Sequence, residues 1–425
     1  MTDDDWTSVT TREDDAAANI SGNPFSLWAG PVSFATGVEW RREAMTGTAF
    51  AGGTAPNPIT GNPGPYRLGN YLPQSGSFNV LEGFLETVVP LAKDQGWAKS
   101  LDFNGAVRVT NYTTSGTVVT WKAGLSWEIN DAIRFRATRS RDIRAGTLQE
   151  LFAARSAGHG TVIDYVQGSN VVDNNVPQFT SGNPDLKPQT GDTTTAGIVL
   201  RPGFLHGFEM SVDGYIIKIK DAILSQSSNA ITQACSLGNA DSCTRIQRDG
   251  GGNIIAIFNT PQNLQSLKTS GVDIEASYRA HALGGQMTIR GLANYVGDYE
   301  TNTLLTPVVN LAGQVNNPHW RGVVQLYYDQ GPLSFFLQSR YTGRGFYDKS
   351  TPADDLPQLM IHGQWLFDTN LQMALPGAAS GVKLFFNVTD IFNRQPPAFS
   401  STNGYNVANY DFIGRTYRTG IRFSF

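Results

Sequence analysis

Residues 417–425, YRTGIRFSF, decide how the rest of the chain is read. In an extended strand successive side chains point to opposite faces. Tyr417, Thr419, Ile421, Phe423 and Phe425 then share one face, and Arg418, Gly420, Arg422 and Ser424 the other. One face is apolar and aromatic, the other polar and cationic. The pattern runs to the carboxyl end of the sequence and stops on an aromatic residue.

The composition agrees with a strand-rich chain. Of 425 residues, 16% are charged and 11% aromatic, with 23 phenylalanines and 15 tyrosines, which favours sheet over helix. No apolar run reaches the roughly 18 residues a membrane helix needs. A membrane barrel is compatible with that, because its strands hide every second residue from lipid. The net charge of −4 and the lack of a basic block exclude nucleic acid as a partner. Residues 1–20, MTDDDWTSVTTREDDAAANI, are acidic and have no apolar centre, so they are not a secretory signal.

The two cysteines, Cys235 and Cys243, enclose the turn-forming run SLGNADS. No histidine lies near enough to complete a metal site. They form a candidate disulfide, which requires an oxidising compartment.

Residues 1–30 show no clear periodicity and are expected to be an irregular N-terminal segment, part of an upstream barrel or loop. Strands are expected at 31–43 and 77–92, then in LDFNGAVRVT, TVVTWKAGLSWEI and AIRFRATRS. Further strands are TTTAGIVLR, FEMSVDGYIIKIK, SGVDIEASYRA, QMTIRGLANYV, HWRGVVQLYYD and LSFFLQSRYT. MIHGQWLFDTNLQM, GVKLFFNVTDIF and the terminal stretch complete about fourteen. Residues 44–75, 143–190 and 221–262 read as long loops, with a turn of helix in TLQELFA (147–153). Apart from the TTSG turn, long and short connections alternate. That is the asymmetry of an up-and-down membrane barrel with short periplasmic turns and long extracellular loops. Mid-strand charges fall opposite the apolar face. Trp40, Trp121, Trp320, Tyr295, Tyr328 and Tyr341 fall near strand ends, where interfacial aromatics belong.

Several stretches resemble the C-terminal barrel region of TonB-dependent outer-membrane receptors. They are TRSRDIRAGTLQELF (138–152), SGNPDLKPQT (181–190), SGVDIEASY (270–278), FNVTDIFNRQPP (386–397) and the terminal strand. AGPVSFATGVEWRRE (29–43) and FNVLEGFLETVVPL (78–91) are similar to a proteobacterial subgroup. Gln189 stands where the family's Asn-Pro-x-Leu-Lys-Pro signature usually has Glu. The resemblance implies that Tyr417, Phe423 and Phe425 carry a barrel-assembly signal read by the assembly machinery. It implies a 22-strand barrel closed around a plug. Nothing here resembles the plug, so a partial barrel over 31–425 is expected: either a fragment, with plug, early strands and signal peptide upstream and Met1 an internal start, or the product of a gene split or shortened at Met1. The implied partners are outer-membrane lipid, a small-molecule nutrient, and the TonB energy-transducing protein reached only through the missing plug.

The remaining chemistry reads blandly. His159, His206, His281, His319 and His362 lack metal-ligand spacing, and no serine pairs with His362 by pattern. Asp142, Arg144 and Glu150 mark the outer end of a strand, for ligand contact or for pairing across the rim. Asp273, Glu275, Arg279, Arg290, Arg321, Arg340, Arg418 and Arg422 form a lumenal polar row. GGGN (250–253) lacks the lysine of a phosphate loop.

The expectation is an all-β transmembrane antiparallel up-and-down barrel in the outer membrane of a Gram-negative bacterium. It takes up an iron chelate, vitamin B12 or an oligosaccharide, with no catalytic residue, metal or cofactor. The rivals are a passive pore closed by pairing 31–43 with 411–425, and a remnant that transports nothing.

Overall fold

The computed structural model describes residues 6–49, 72–168, 171–303, 308–347, 349, 360–375, 381–397, 410–411 and 413–423. Six long strands come first: β1 (Thr7–Leu27), β2 (Gly30–Ala49), β3 (Gln74–Gln95), β4 (Ala98–Tyr112), β5 (Gly116–Glu128) and β6 (Ile133–Arg144). Next are α1 (Leu148–Phe152), β7 (Ser156–Ile163), β8 (Val172–Thr180), β9 (Gln189–Leu200) and β10 (Phe208–Leu224). Then follow α2 (Ser228–Ser236), α3 (Ala240–Thr244), β11 (Ile246–Arg248) and β12 (Ile254–Phe258). β13 (Gln262–Ala282), β14 (Gly285–Thr303), β15 (Val309–Asn310), β16 (Trp320–Gln330) and β17 (Leu333–Thr342) come next. The last are β18 (Gly345–Phe346), β19 (Met360–Ile361), β20 (Gln364–Ala374), β21 (Val382–Thr389) and β22 (Thr416–Phe423).

Among the described residues, fifteen of these strands follow one another in an antiparallel meander, β1-β2-β3-β4-β5-β6-β9-β10-β13-β14-β16-β17-β20-β21-β22, with β15 paired onto β14. No strand lies beyond β1 or β22 in the described residues. The fourteen expected strands are all present. The fifteenth, β1, corrects the expectation of an irregular segment over 1–30. Its core, TTREDDAAANIS, has no apolar alternation because, Ile20 apart, both faces carry polar or small residues. It is a strand because β2 templates it, from Thr7↔Ala49 to Leu27↔Gly30 with a bulge between Gly22 and Phe25. β2 therefore has β1 on one side and β3 on the other. That leaves no edge for 31–43 to pair with 411–425, so the self-closing fourteen-strand rival falls.

The register fixes two faces. Tyr417, Ile421 and Phe423 of β22 lie beside Val388, Leu384 and Val382 of β21. The same face carries Val324 and Leu326 of β16 and Val272, Ile274 and Ala276 of β13. At one end of this apolar face sit Tyr295, Trp320, Tyr341 and Trp365, with ring centroids 4.9 Å apart for Tyr295–Trp320 and 4.7 Å for Tyr341–Trp365. At the other end Trp97 and Trp127 are 6.2 Å apart, and the Tyr328 hydroxyl donates to the Leu283 carbonyl at 2.9 Å. Trp320 and Tyr328 are eight residues apart, about 26 Å of strand at roughly 3.3 Å per residue. At about 40° of strand tilt that is roughly 20 Å of height, within the roughly 25 Å apolar band of a membrane barrel. Ser424 and Phe425, the end of the expected assembly signal, lie outside the described residues.

The long connections are not mere loops, which corrects the expectation for 143–190 and 221–262. They fold together into a four-stranded sheet, β11-β12-β8-β7, whose β12 and β8 are parallel. Val162, Val176, Ile231, Ile254 and Ile257 form its core. Cys235 and Cys243 are joined in a disulfide across α2 and α3. The turn of helix expected within 147–153 is α1, started by a capping box in which Thr147 and Glu150 satisfy each other's backbone N–H.

Candidate functional site

The polar face carries charges that a sheet surface would not hold without partners. Arg136 of β6 grips Asp213 of β10 through two bonds of 2.7 and 2.5 Å. Gly197 of β9 lies between them, and a Cβ there would stand 2.1 Å from an Asp213 oxygen. A side chain at that position would break the fork. Asn294 of β14 donates to Asp273 at 2.6 Å and to the Tyr215 hydroxyl at 3.3 Å. Glu275 pairs with Arg290 at 2.6 Å and Arg340 with Asp368 at 3.1 Å. Arg136, Asp213, Tyr215, Asn294 and Arg340 line one recess of 930 Å³ on this face. On β2–β4, Glu82, only 8% exposed, accepts from Arg108 at 2.6 Å and from Thr110 at 3.1 Å.

Of the expected lumenal row, Asp273, Glu275, Arg290 and Arg340 are held in hydrogen bonds or ion pairs on this face, and Arg418 and Arg422 stand on β22 across from Asn387 and Lys383. The sequence places Asp273 on the polar face but gives no sign of Arg136–Asp213 or Glu82–Arg108. The first pair spans three strands and 77 residues, and the second depends on a register shift between Pro90 and Ala92 in the β3–β4 hairpin.

Above the wall, α1 packs Leu151 against Phe78, Val80, Tyr112 and Leu186. Arg144 clasps Glu150 at 2.8 and 2.9 Å, holding that carboxyl below its ordinary range. Asp142 accepts from the Ser140 hydroxyl at 2.9 Å. Pairing across the rim therefore accounts for Arg144 and Glu150. In NPDLKP, the backbone N–H and carbonyl of Lys187 both bond the Asn263 side chain, at 2.9 and 2.8 Å, while Leu186 is buried. The motif staples the end of one excursion to the start of β13. A second recess, of 290 Å³, opens beneath the small sheet between Gln149, Ser156, Thr180, Ser225 and Asn259. The buried Asn259 Oδ1 has no partner among the described residues, which leaves an acceptor for a guest.

One ion pair ties the end of β7 to β11 within the small sheet. Asp164, with no exposed surface, receives Arg248 at 2.5 and 2.8 Å. That contact holds the Asp164 carboxyl below, and the Arg248 guanidinium above, its ordinary value. Arg248 also donates to the Gly252 carbonyl at 2.7 Å, so the glycine run is an anchored turn. His319 stacks on Tyr295 and its Nδ1 lies 2.6 Å from the Val296 carbonyl, just before β16. Among the described residues no three His, Cys, Asp or Glu side chains gather as metal ligands.

The model of the TonB dependent receptor-like β-barrel family matches residues 1–391. No curated protein matches the sequence. Among solved structures, a mutant ferric enterobactin receptor (PfeA) from Pseudomonas aeruginosa, in complex with enterobactin, superposes with a TM-score of 0.68. It is 16% identical, over 98% of this chain and 55% of that one. The siderophore receptor PirA from Acinetobacter baumannii gives 0.68 at 14% identity, over 99% and 55%. The ferric-catecholate import receptor Fiu from E. coli gives 0.55 at 14%, over 99% and 55%. The chain thus spans a little over half the length of these receptors.

Proposed function

The chain belongs to the TonB-dependent receptor-like β-barrel family, and from that premise we propose that it is the strand wall of an outer-membrane receptor that imports a scarce small-molecule nutrient. The observation that carries this is the asymmetry of the sheet. Every folded excursion rises from one end of the wall, above a polar face, while an apolar band faces the other way. The small sheet and α1 hold the first contact, in the recess around Asn259. The charged wall from Arg136 to Arg340 offers the path inward.

An iron chelate is the cargo we favour over vitamin B12 or an oligosaccharide. The similar solved receptors are siderophore receptors. Energy would come from the TonB protein pulling on a plug supplied by the rest of the receptor, and the assembly machinery would insert the wall into lipid. We assign no catalytic role to any residue.

The test is uptake of a panel of radiolabelled ferric chelates by cells carrying the whole receptor. Removal of 156–180 and 228–258 together is expected to lower uptake at least about tenfold while the barrel still inserts. Equal uptake without the small sheet would contradict the assignment. Steady ion conductance by this chain in planar bilayers would favour a passive pore.

A further inference from the structure

The recess beneath the small sheet measures 290 Å³. That lies at the lower end of the roughly 300–1,000 Å³ span of small-molecule sites, so it holds one arm of a cargo rather than a whole chelate. Ala153, Ala154, Ile223 and Pro261 give it apolar walls. Among the described residues Glu150 is its one charged lining group, and that carboxylate is already engaged. Its oxygens take Arg144 at 2.8 and 2.9 Å and the Thr147 N–H at 2.8 Å. The hydroxyls of Ser156 and Thr180 bond each other at 2.6 Å.

The amide groups that remain open are acceptors. Gln149 donates its side-chain N–H to the Met45 sulfur at 3.2 Å, which leaves its carbonyl oxygen open. Asn259 donates its side-chain N–H to the Ser228 hydroxyl at 3.2 Å. Its backbone N–H goes to the Phe179 carbonyl at 2.7 Å, so both excursions fix its position. Asn259 is 9% exposed, and its Oδ1 is buried without a partner among the described residues. A bare acceptor in a buried wall has lost its water, and only a donor on the guest restores the bond. The entering arm must therefore bring an N–H or an O–H. An ammonium would also donate, but it would meet no free counter-charge in this wall, and an anion would face two acceptors.

We infer that this recess is a subsite for one neutral arm of the cargo, a secondary amide or a hydroxyl on a short apolar stem, and that Asn259 Oδ1 selects it. This rests on the reading above that the small sheet holds the first contact. The arm's stem lies against Ile223 and Pro261, and its N–H or O–H points at Asn259.

The test uses the whole receptor in detergent micelles and two ferric trihydroxamate chelates of equal charge. One carries an arm ending in an N-methylamide, the other the same arm ending in an N,N-dimethylamide, which has no N–H. By titration calorimetry the wild type is expected to bind the N-methylamide at least about fivefold more tightly. Asn259→Leu is expected to bind the two alike, and Asn259→Asp, which keeps an acceptor there, to retain the preference. Hydrogen exchange across 156–180 checks that each variant keeps the small sheet. Free N-methylacetamide, followed by saturation-transfer NMR against N,N-dimethylacetamide, reads the recess without any chelate. Equal binding of the two chelates by the wild type overturns the subsite and leaves the chelate reading standing. So does an unchanged preference in Asn259→Leu. If neither chelate binds, but N-methylacetamide gives a signal that Asn259→Leu abolishes, the subsite stands and the chelate reading falls. Absence of binding by chelates and free amide alike overturns the subsite.

Discussion

Val324→Arg is expected to cost about 2–4 kcal/mol of folding stability in a bilayer. Val324 lies at the middle of β16, 45% exposed, on the apolar face between Trp320 and Tyr328. A guanidinium there has no water and no partner within the band. Gln325, the next residue, points to the opposite face and bonds Gln338 at 2.9 Å. Gln325→Arg places the same charge on the wet wall beside other paired charges, where a substitution is expected to change stability by about 0.5 kcal/mol or less. The contrast between two adjacent positions separates a two-faced membrane wall from a soluble sheet, in which both changes would be mild. Urea unfolding of the chain in lipid vesicles reads the difference directly.

The second large effect lies in the small sheet. Arg248→Met removes the partner of Asp164, which has no exposed surface, and leaves a carboxylate buried without a counter-charge. Breaking such a pair typically costs about 3–5 kcal/mol. Arg248 keeps some solvent contact, so the lower end, about 3 kcal/mol, is expected. The loss is local: hydrogen exchange should quicken across 156–180 and 246–258 while the long strands stay protected. The same contact sets the pH response. Arg248 holds the folded Asp164 carboxyl below its ordinary value, so the contribution of the pair is complete above the unfolded value of about 3.9. It is lost as pH falls through the lower folded value. Protection of the small sheet should therefore be flat from pH 7 to about 4 and drop only below that. Loss of protection near pH 6 would show that another group controls the stability of the small sheet.

The wall was legible in the sequence wherever a strand buries one face only. SGVDIEASYRA and YRTGIRFSF alternate cleanly because lipid and water meet opposite sides of the same backbone. Connection lengths then supplied the orientation. β1 escaped because TTREDDAAANIS, Ile20 apart, is polar or small on both faces, and its pairing is dictated by β2 rather than by its own hydropathy. The small sheet escaped for a different reason. β12 pairs with β8 across nearly eighty residues, through two register partners, Ile257↔Gln178 and Phe258↔Phe179. Each strand is short, and Gly158, Gly160 and Pro177 interrupt the pattern of the β7–β8 hairpin. The Asp164–Arg248 pin is equally non-local, separated by 84 residues. What joins the two excursions is a tertiary contact, which no local period announces. The cysteine pair was legible because its own short turn brings the thiols together.

The central claim is that one face of the sheet meets lipid and the other water. Spin labels placed singly from 271 to 279 on β13 of the membrane-embedded chain test it most directly. The account predicts a period of two: labels at 272, 274, 276 and 278 are relaxed by oxygen dissolved in the bilayer, and those at 273, 275, 277 and 279 by a water-soluble nickel chelate. Uniform accessibility, or the reverse phase with 273 and 275 in lipid, would contradict it.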